Sequence, residues 1–277
     1  MSKKNLALSP LFACSLLLIM GALNHQPRAF TPPVSAVFVA QIATRDAVMD
    51  NLTPAQVLAR AAVNLDPVRT PWLRVKTWQK QADEEVSFEA DGRLVRGPNQ
   101  CARLEMTIHT GAIATTTITV SDGVGLAHGC RVAGRAPTVT SQRFITTGKT
   151  NMAAEEIDRI LNAHGCGGPY CLVKELASTL KNLKMVQGTW KGKSVIRLTG
   201  SVKEDQPVAE PRFAVPPRIC QLYLDAQSLW PHRAEWWAFQ EYEKNAFLLL
   251  ELEFRDPVIN QPLSHEDCIR EFTYQPE

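Results

Sequence analysis

The sequence lacks the motifs of the common catalytic sites. It contains no Gly-x-Ser-x-Gly nucleophile turn, no His-Glu-x-x-His zinc helix and no glycine-rich dinucleotide turn. Gly148-Lys149-Thr150 resembles the end of a phosphate-binding loop, but Arg143 stands where that loop needs its first glycine. These absences favour a binding protein over an enzyme, with a hydrolase as the alternative.

A strong charge of one sign is also absent. The formal net charge is +2 over 277 residues, and Lys3, Lys4 and Arg28 lie in the first thirty residues, which contain no acid. The remaining chain therefore carries +2 − 3 = −1. Without a basic patch, we expect no nucleic-acid partner and no polybasic attachment to a membrane surface.

A hydrophobic run long enough to cross a membrane comfortably is missing too. The apolar run over residues 11–23 follows two lysines and precedes polar residues, and it is shorter than the roughly 20 residues that a spanning helix needs. This pattern predicts a secretory signal over residues 1–30, with an uncleaved anchor as the alternative. A tether over 31–50 and a domain over 51–277 follow. The expected location is the periplasm or cell envelope.

The cysteine content agrees with export. Cys14 lies in the apolar run, where a lipid-attachment signal is a weaker alternative, and six cysteines follow it. An even number of cysteines in an exported chain predicts disulfides, although the sequence does not determine their pairing. Our preferred pair encloses a Gly-Gly-Pro-Tyr turn. The predicted pairs are Cys166 with Cys171, Cys101 with Cys130, and Cys220 with Cys268.

Histidines close to these cysteines raise two other kinds of site. A zinc site is one alternative, but the spacing matches no standard Cys-x-x-Cys motif, so we predict no metal and no cofactor. A nucleophilic pair of Cys130 with His128 is the other, and it requires a lowered thiol pKa that the sequence does not reveal. The possible zinc ligands are His128, Cys130, His164, Cys166 and Cys171.

Hydrophobic periodicity predicts an α+β fold. Thr53 and Pro54 begin a helix with an apolar stripe, and from Trp72 the period changes to two, which indicates antiparallel strands. An insert of two helices, the second carrying Leu176 and Leu180, interrupts the strands before they resume. A curved antiparallel sheet with helices against its apolar face buries all these stripes in one core.

The apolar face of the strands is the candidate ligand-binding surface. Ile157 and Ile160 of the insert are expected to cover it. An ordinary filled core gives the same pattern and remains the alternative. The predicted lining residues on the strands are Leu104, Met106, Ile108, Ile118, Val120, Ile196, Leu198, Leu222, Leu224, Leu248, Leu250 and Leu252.

Several segments, taken in order, resemble the periplasmic lipoprotein-carrier family, the outer-membrane lipoprotein-sorting proteins. The resemblance covers roughly residues 50–277. The matching segments are Gly92-Arg93-Leu94-Val95-Arg96-Gly97-Pro98, Arg103-Leu104-Glu105, Val120-Ser121-Asp122-Gly123, Leu222-Tyr223-Leu224-Asp225, Trp230-Pro231-His232-Arg233 and Glu271-Phe272-Thr273-Tyr274-Gln275-Pro276.

This resemblance implies an incomplete β-barrel with a helical lid over a cavity for acyl chains. It also implies that Arg96 meets a polar head group or pins its strand, whereas Arg103 is expected to pair with Glu105. We therefore predict an extracytoplasmic protein that holds a lipid acyl chain or lipoprotein anchor. The alternative is a structural or interaction module of the cell envelope, with a protein partner and a filled core.

Overall fold

Eleven antiparallel strands form one curved, unclosed sheet in the described part of the chain. The computed structural model describes residues 52–82, 87–144, 152–203, 216–239 and 246–274. The predicted signal, the tether and the Gly148-Lys149-Thr150 segment lie outside these residues. The α+β class with a dominant antiparallel sheet is confirmed.

The strands follow the chain in two meanders. Their order across the sheet is β6-β5-β4-β3-β2-β1-β11-β10-β9-β8-β7, so the first and last strands along the chain pair at its centre. The strands are β1 Leu73–Ala82, β2 Ser87–Arg96, β3 Cys101–Thr110, β4 Ile113–Asp122, β5 Gly125–Val132, β6 Thr138–Arg143, β7 Leu180–Trp190, β8 Lys193–Val202, β9 Ile219–Asp225, β10 Pro231–Phe239 and β11 Ala246–Ile259.

Four helices pack on this sheet. Helix α1 begins with the predicted cap: the Thr53 hydroxyl accepts from the backbone N–H of Gln56 at 3.3 Å, and the Gln56 side chain accepts from the N–H of Thr53 at 2.8 Å. No helix among the described residues has the length and apolar character to span a membrane. The helices are α1 Pro54–Leu65, α2 Ala154–Ala163, α3 Gly168–Thr179 and α4 His265–Phe272.

The helices divide between the two faces of the sheet. Helices α1, α2 and α3 cover the face that we call the inner face, where Leu104 meets Gly165 and Leu94 meets Gly168. Helix α4 lies on the opposite, outer face, and its Glu271 accepts from Arg93 Nη1 at 2.8 Å. Because each face has its own cover, apolar residues are buried on both sides of the sheet.

The second helix of the insert is shorter than the sequence pattern indicates. Helix α3 ends at Thr179, and Leu180, predicted on this helix, has an extended backbone and begins β7. The hydroxyls of Ser178 and Thr179 both donate to the Glu175 carbonyl in the last turn. Side-chain bonds of this kind compete with the helix, and the chain then pairs with β8.

The three predicted disulfides are wrong, because none of the six described cysteines forms a disulfide in the structure. Cys101 lies on the outer face, whereas Cys130 pairs with the inner-face residue Thr117. Cys220 is fully buried on the inner face, and Cys268 belongs to the outer helix α4. The sheet therefore separates the members of two predicted pairs, which a disulfide cannot bridge.

The third predicted pair, Cys166 with Cys171, is close in sequence but also unbonded. The Cys166 thiol faces the His164 carbonyl, with Sγ 4.0 Å from the oxygen. The Cys171 thiol lies beside Gly167 at the start of α3. The turn between the two cysteines therefore directs their sulfur atoms to different neighbours.

Gly92, at the centre of β2, permits the close pairing of β2 with β3. A Cβ atom at this position would overlap the backbone carbonyl of Glu105 and would lie 2.6 Å from Met106 Sδ. We expect Gly92→Ala to lower the free energy of unfolding by about 3 kcal/mol, because the backbone of the central sheet must shift. Urea unfolding measures this change. The control is Gly200→Ala, whose added methyl meets only the side chains of Leu180 and Leu183; an equal loss in both variants would contradict the explanation.

Candidate ligand-binding face

One register row crosses the inner face of the sheet from β4 to β7. Three of its apolar members, Ile108, Leu252 and Met185, remain half-buried at positions spread across the sheet. Between them Ala90 and Ala234 are fully buried. The row reads Thr115, Ile108, Ala90, Gln79, Leu252, Ala234, Leu222, Leu198, Met185.

Most of the predicted lining residues share this inner face. All of them except Leu250 join one hydrophobic cluster with α1, α2 and α3; Ile157 of α2 belongs to this cluster, and Ile160 packs against it. The stripe of α1 that begins with Val57 and Leu58 belongs to the same cluster. The predicted residues found on the inner face are Leu104, Met106, Ile108, Ile196, Leu198, Leu222, Leu224, Leu250 and Leu252.

Ile118 and Val120 do not lie on the expected face. The register pairs Ile118 with Glu105 and Val120 with Arg103, so both point to the outer face. Val120 is only 2% exposed there, on the side of the sheet where α4 packs against β3 and β4. The alternation along β4 separated its two faces correctly. However, the apolar face, with Ile118 and Val120, lies beneath α4 and not on the inner side.

Leu248 also leaves the expected row. A bulge in the pairing of β10 with β11 sets Trp237 opposite Leu248 and Trp236 opposite Leu250. Trp236 packs against the core, whereas Trp237 Nε1 donates to Glu235 at 3.1 Å on the outer face. The two tryptophans point to opposite faces, and Leu248 accompanies Trp237.

Arg96 connects β2 to the end of α1. Its Nη2 atom donates to the carbonyls of Leu65 at 3.3 Å and Thr70 at 3.2 Å, and the residue is 8% exposed. Burial lowers the pKa of Arg96, and the nearby Cys171 and Asp158 oppose this shift. Of the two predicted roles, the geometry shows the pinning of the strand, here to the C-terminal end of α1.

Polar side chains form a band on the inner face that the sequence analysis did not assign to the site. Thr77 donates to Met106 Sδ at 3.0 Å, and Gln79 and Gln81 are buried on the same strand. A sequence signal existed, because Arg74, Lys76 and Lys80 alternate with these residues and indicate which side of β1 faces water. On β4 and β5 the band continues with Thr117, Thr119, Ser121 and His128.

Two histidines meet where this band reaches the helical cover. His128 on β5 hydrogen-bonds through Nδ1 to the Thr119 hydroxyl at 3.1 Å, and its ring centroid lies 6.0 Å from that of His164. Burial, followed by the charge of His164, lowers the pKa of His128 from 6.5 to about 4. Burial also lowers the pKa of His164. Both rings are therefore neutral near neutral pH.

The cysteines of the inner side do not have the properties of reactive thiols. Burial raises the pKa of Cys130, two residues from His128, and raises the pKa of Cys171 to about 11 despite Arg96 and Lys174. A nucleophilic cysteine needs the opposite shift. No group of three or more His, Cys, Asp or Glu side chains among residues 52–82, 87–144, 152–203, 216–239 and 246–274 is arranged to hold a metal ion.

Acidic residues on the outer face of β10 and β11 are paired rather than solvated. Glu253 is 2% exposed and accepts from Lys191 at 2.9 Å, Arg255 at 2.6 Å and Arg233 at 3.4 Å. Burial alone would raise the pKa of Glu253, but the hydrogen bonds from Lys191 and Arg255 hold the pKa below its usual value. This network balances the buried charge of Glu253.

Similar solved structures carry names related to lipoproteins and the cell envelope. The lipoprotein LppX of Mycobacterium tuberculosis is 14% identical with a TM-score of 0.42, over 75% of this chain and 97% of that one. An outer membrane lipoprotein-sorting protein domain of Vibrio parahaemolyticus is 8% identical with a TM-score of 0.27, over 77% and 95%.

The Pseudomonas aeruginosa MucA/MucB complex also contains a similar chain, at 15% identity and a TM-score of 0.35. The match covers 78% of this chain and 60% of that one. No protein-family model matches the sequence, and the curated proteins contain no significant match.

The buried histidines predict a stability that falls in acid. Below pH 6.5 an unfolded chain binds a proton at His128 that the folded protein takes up only near pH 4. The free energy of unfolding should therefore decrease by about 2 kcal/mol for this residue between pH 7 and pH 5. His128→Asn retains a side chain able to reach Thr119 and should reduce the dependence of the free energy of unfolding on pH.

Urea midpoints at the two pH values measure this effect. His109→Gln is the matched control, because His109 is half-exposed on the outer side of β3. An unchanged pH dependence in His128→Asn, or an equal reduction in both variants, would disprove the assignment to His128.

Proposed function

We propose that this protein is an extracytoplasmic binding protein that holds an apolar chain against the inner face of its sheet. The observation that carries the proposal is the row of Ile108, Leu252 and Met185, which stay half-buried although they face the covered side of the sheet. An acyl chain of a lipid or of a lipoprotein anchor is the ligand class that such a surface recognises.

Burial of apolar area provides the affinity in this proposal. Each methylene that leaves water contributes about 0.8 kcal/mol, so an acyl chain needs no charged contact in order to bind. The polar band beside the apolar row, with Thr77 and Thr117, offers hydroxyl groups to the carbonyl oxygens at one end of such a ligand. The sequence resemblance to the lipoprotein-carrier family supports the same ligand class.

Entry of the ligand requires movement of the helical cover, which in this proposal acts as a lid. Leu198, Leu222 and Ala234 are fully buried beneath it. Polar contacts attach the cover at a few of the described positions: Arg96 bonds the end of α1, Asn64 Nδ2 donates to the Ser228 carbonyl at 3.4 Å, and Lys203 Nζ donates to the Ser178 carbonyl of α3 at 2.6 Å. Apolar packing makes a large part of the remaining contact. Apolar packing is not directional, so an acyl chain can replace it.

We further propose a binding role without catalysis, located in the periplasm or cell envelope. The thiols of Cys130 and Cys171 are half-buried with raised pKa values, which disfavours a cysteine nucleophile. The filled-core alternative is an envelope interaction module with a protein partner. It is favoured by the full burial of Leu198, Leu222 and Ala234, and the two proposals differ in whether apolar ligand enters.

Two pairs of matched variants test the ligand-binding face. Ile108→Gln and Leu252→Gln alter half-buried residues of the inner face. Ile118→Gln and Leu248→Gln are their matched controls, because they alter half-buried residues of the same types on the outer face. We expect each inner variant to weaken binding of a fluorescent fatty acid about tenfold, because one apolar contact is lost. The outer variants should bind as the unaltered protein does.

Native mass spectrometry of the protein purified from an envelope fraction gives the first measurement. A bound mass that lipid extraction identifies as an acyl species is the expected result. A bare protein mass, together with no uptake of the fluorescent fatty acid, would replace this proposal with the filled-core interaction module. Equal weakening by inner and outer variants would show that the chosen face is wrong.

The lid predicts a specific effect of Arg96. In Arg96→Gln, the bonds to Leu65 and Thr70 are weakened, so amide hydrogen exchange in α1 should become about tenfold faster. Arg103→Gln is the control, because Arg103 contacts Glu105 and Glu271 on the outer face. Unchanged exchange in α1 would mean that Arg96 does not hold the cover.

A further inference from the structure

Helix α4 and strand β3 meet on the outer face, where Glu271 Oε2 lies 3.9 Å from Arg103 Nε. Cys268 precedes Glu271 by three residues, which places both on one side of the helix. Cys101 precedes Arg103 by two residues, which places both on one face of the strand. Cys268 and Cys101 therefore lie on the sides of α4 and β3 that contain this contact.

The spacings on the two elements are compatible. Three residues of helix rise about 4.5 Å, and two residues of strand extend about 6.6 Å, so adjacent contacts can form along both. Helix α4 packs directly against β3 and β4, and both cysteines are half-buried at this junction. Their proximity shows independently in the electrostatics, because Cys268 is one of the groups that raise the pKa of Cys101.

The other four described cysteines lie on the inner side of the sheet. Cys220 is fully buried on the inner face, and Cys130 lies on the inner face of β5. Cys166 and Cys171 belong to the inner helical cover. The sheet separates all four from Cys101 and Cys268, which are the two thiols on the outer side.

We propose that Cys101 and Cys268 form a disulfide that fastens α4 to the outer face of the sheet under oxidising conditions. The oxidant is a small-molecule disulfide, such as oxidised glutathione. One thiolate attacks it, forms a mixed disulfide and releases one glutathione thiolate. The second cysteine then attacks the protein sulfur of that mixed disulfide and releases the second glutathione. Two protein thiols lose two electrons and two protons in total.

The surroundings of Cys101 slow its reaction at neutral pH. Burial, then the charges of Asp122 and Cys268, raise the pKa of the Cys101 thiol. Little of the Cys101 thiol is therefore thiolate at neutral pH. The rate of ring closure increases with pH, since it depends on the thiolate fraction of Cys101.

The bond fixes a helix that covers much of the outer face. Glu271 of α4 pairs with Arg93 at 2.8 Å, Phe272 packs against Gly97, and Tyr274 after the helix packs on Gly129. A covalent link at Cys268 holds these contacts together and closes a loop that contains most of the sheet. This proposal does not depend on what the inner face binds.

The test uses the full chain, purified with reductant and then exchanged into a glutathione redox buffer at pH 8. We expect intact mass spectrometry to show the loss of two hydrogen atoms, and peptide mapping to identify a cross-linked peptide with Cys101 and Cys268. The thermal midpoint should rise on oxidation and return on reduction. Cys101→Ser should instead accumulate a mixed disulfide with glutathione on Cys268.

The control variant is Cys130→Ser, which alters the half-buried cysteine on the inner face and should leave the cross-link unchanged. Mapping of the unaltered protein makes the test independent of whether Cys101→Ser folds. The proposal is overturned if both thiols remain free in the native oxidised protein while unfolded protein oxidises. A cross-link to any other cysteine overturns it as well.

Discussion

The pairing of β1 with β11 is the constraint on which the rest of the structure depends. It joins residues separated by about two thirds of the chain, with Gln79 opposite Leu252 and Gln81 opposite Leu250. Without this ladder, β1–β6 and β7–β11 would be two separate antiparallel meanders, each with its own exposed edge. Because the register of one strand sets the facing of the next, this single pairing aligns Ile108 on β3 with Met185 on β7.

Two covers follow from having one large curved sheet with apolar residues on both sides. The inner cover of α1, α2 and α3 buries the long hydrophobic cluster, and α4 buries Val120 on the outer side. Another part of the outer face, around Glu253, is shielded by ion pairs instead of by a helix. A buried carboxylate is tolerated there because Lys191, Arg233 and Arg255 supply hydrogen bonds as well as opposite charge.

The inner and outer faces have different physical properties. Inside, apolar packing dominates and the few polar contacts of the cover, such as that of Arg96, attach helix ends to strands. Outside, α4 is held by the ion pair of Glu271 with Arg93 and lies beside the thiol of Cys101. Under the two proposals, a movable inner cover permits ligand exchange on one side while a fastened outer helix holds the sheet on the other.

The elements with strong local signals were predictable from the sequence. The capped helix α1, the alternation of Leu104, Met106 and Ile108, and the opposite facing of Trp236 and Trp237 all agree with the structure. Strands β5 and β6 were missed, because Gly125, Gly129 and the polar residues of β6 carry no clear alternation. Local patterns determine element type because backbone geometry repeats every two or 3.6 residues.

The alternation of residues along each strand is enough to show that the strand has two chemically different faces. Which face is covered, and by what, depends on contacts that form only in the folded chain. Ile118 and Val120 lie outside because α4, more than a hundred residues later in the chain, covers that side of β4. The predicted pairing of Cys101 with Cys130 fails for the same reason, because these residues lie on opposite sides of the sheet. A period of two gives alternation but not direction, and direction depends on contacts between distant segments.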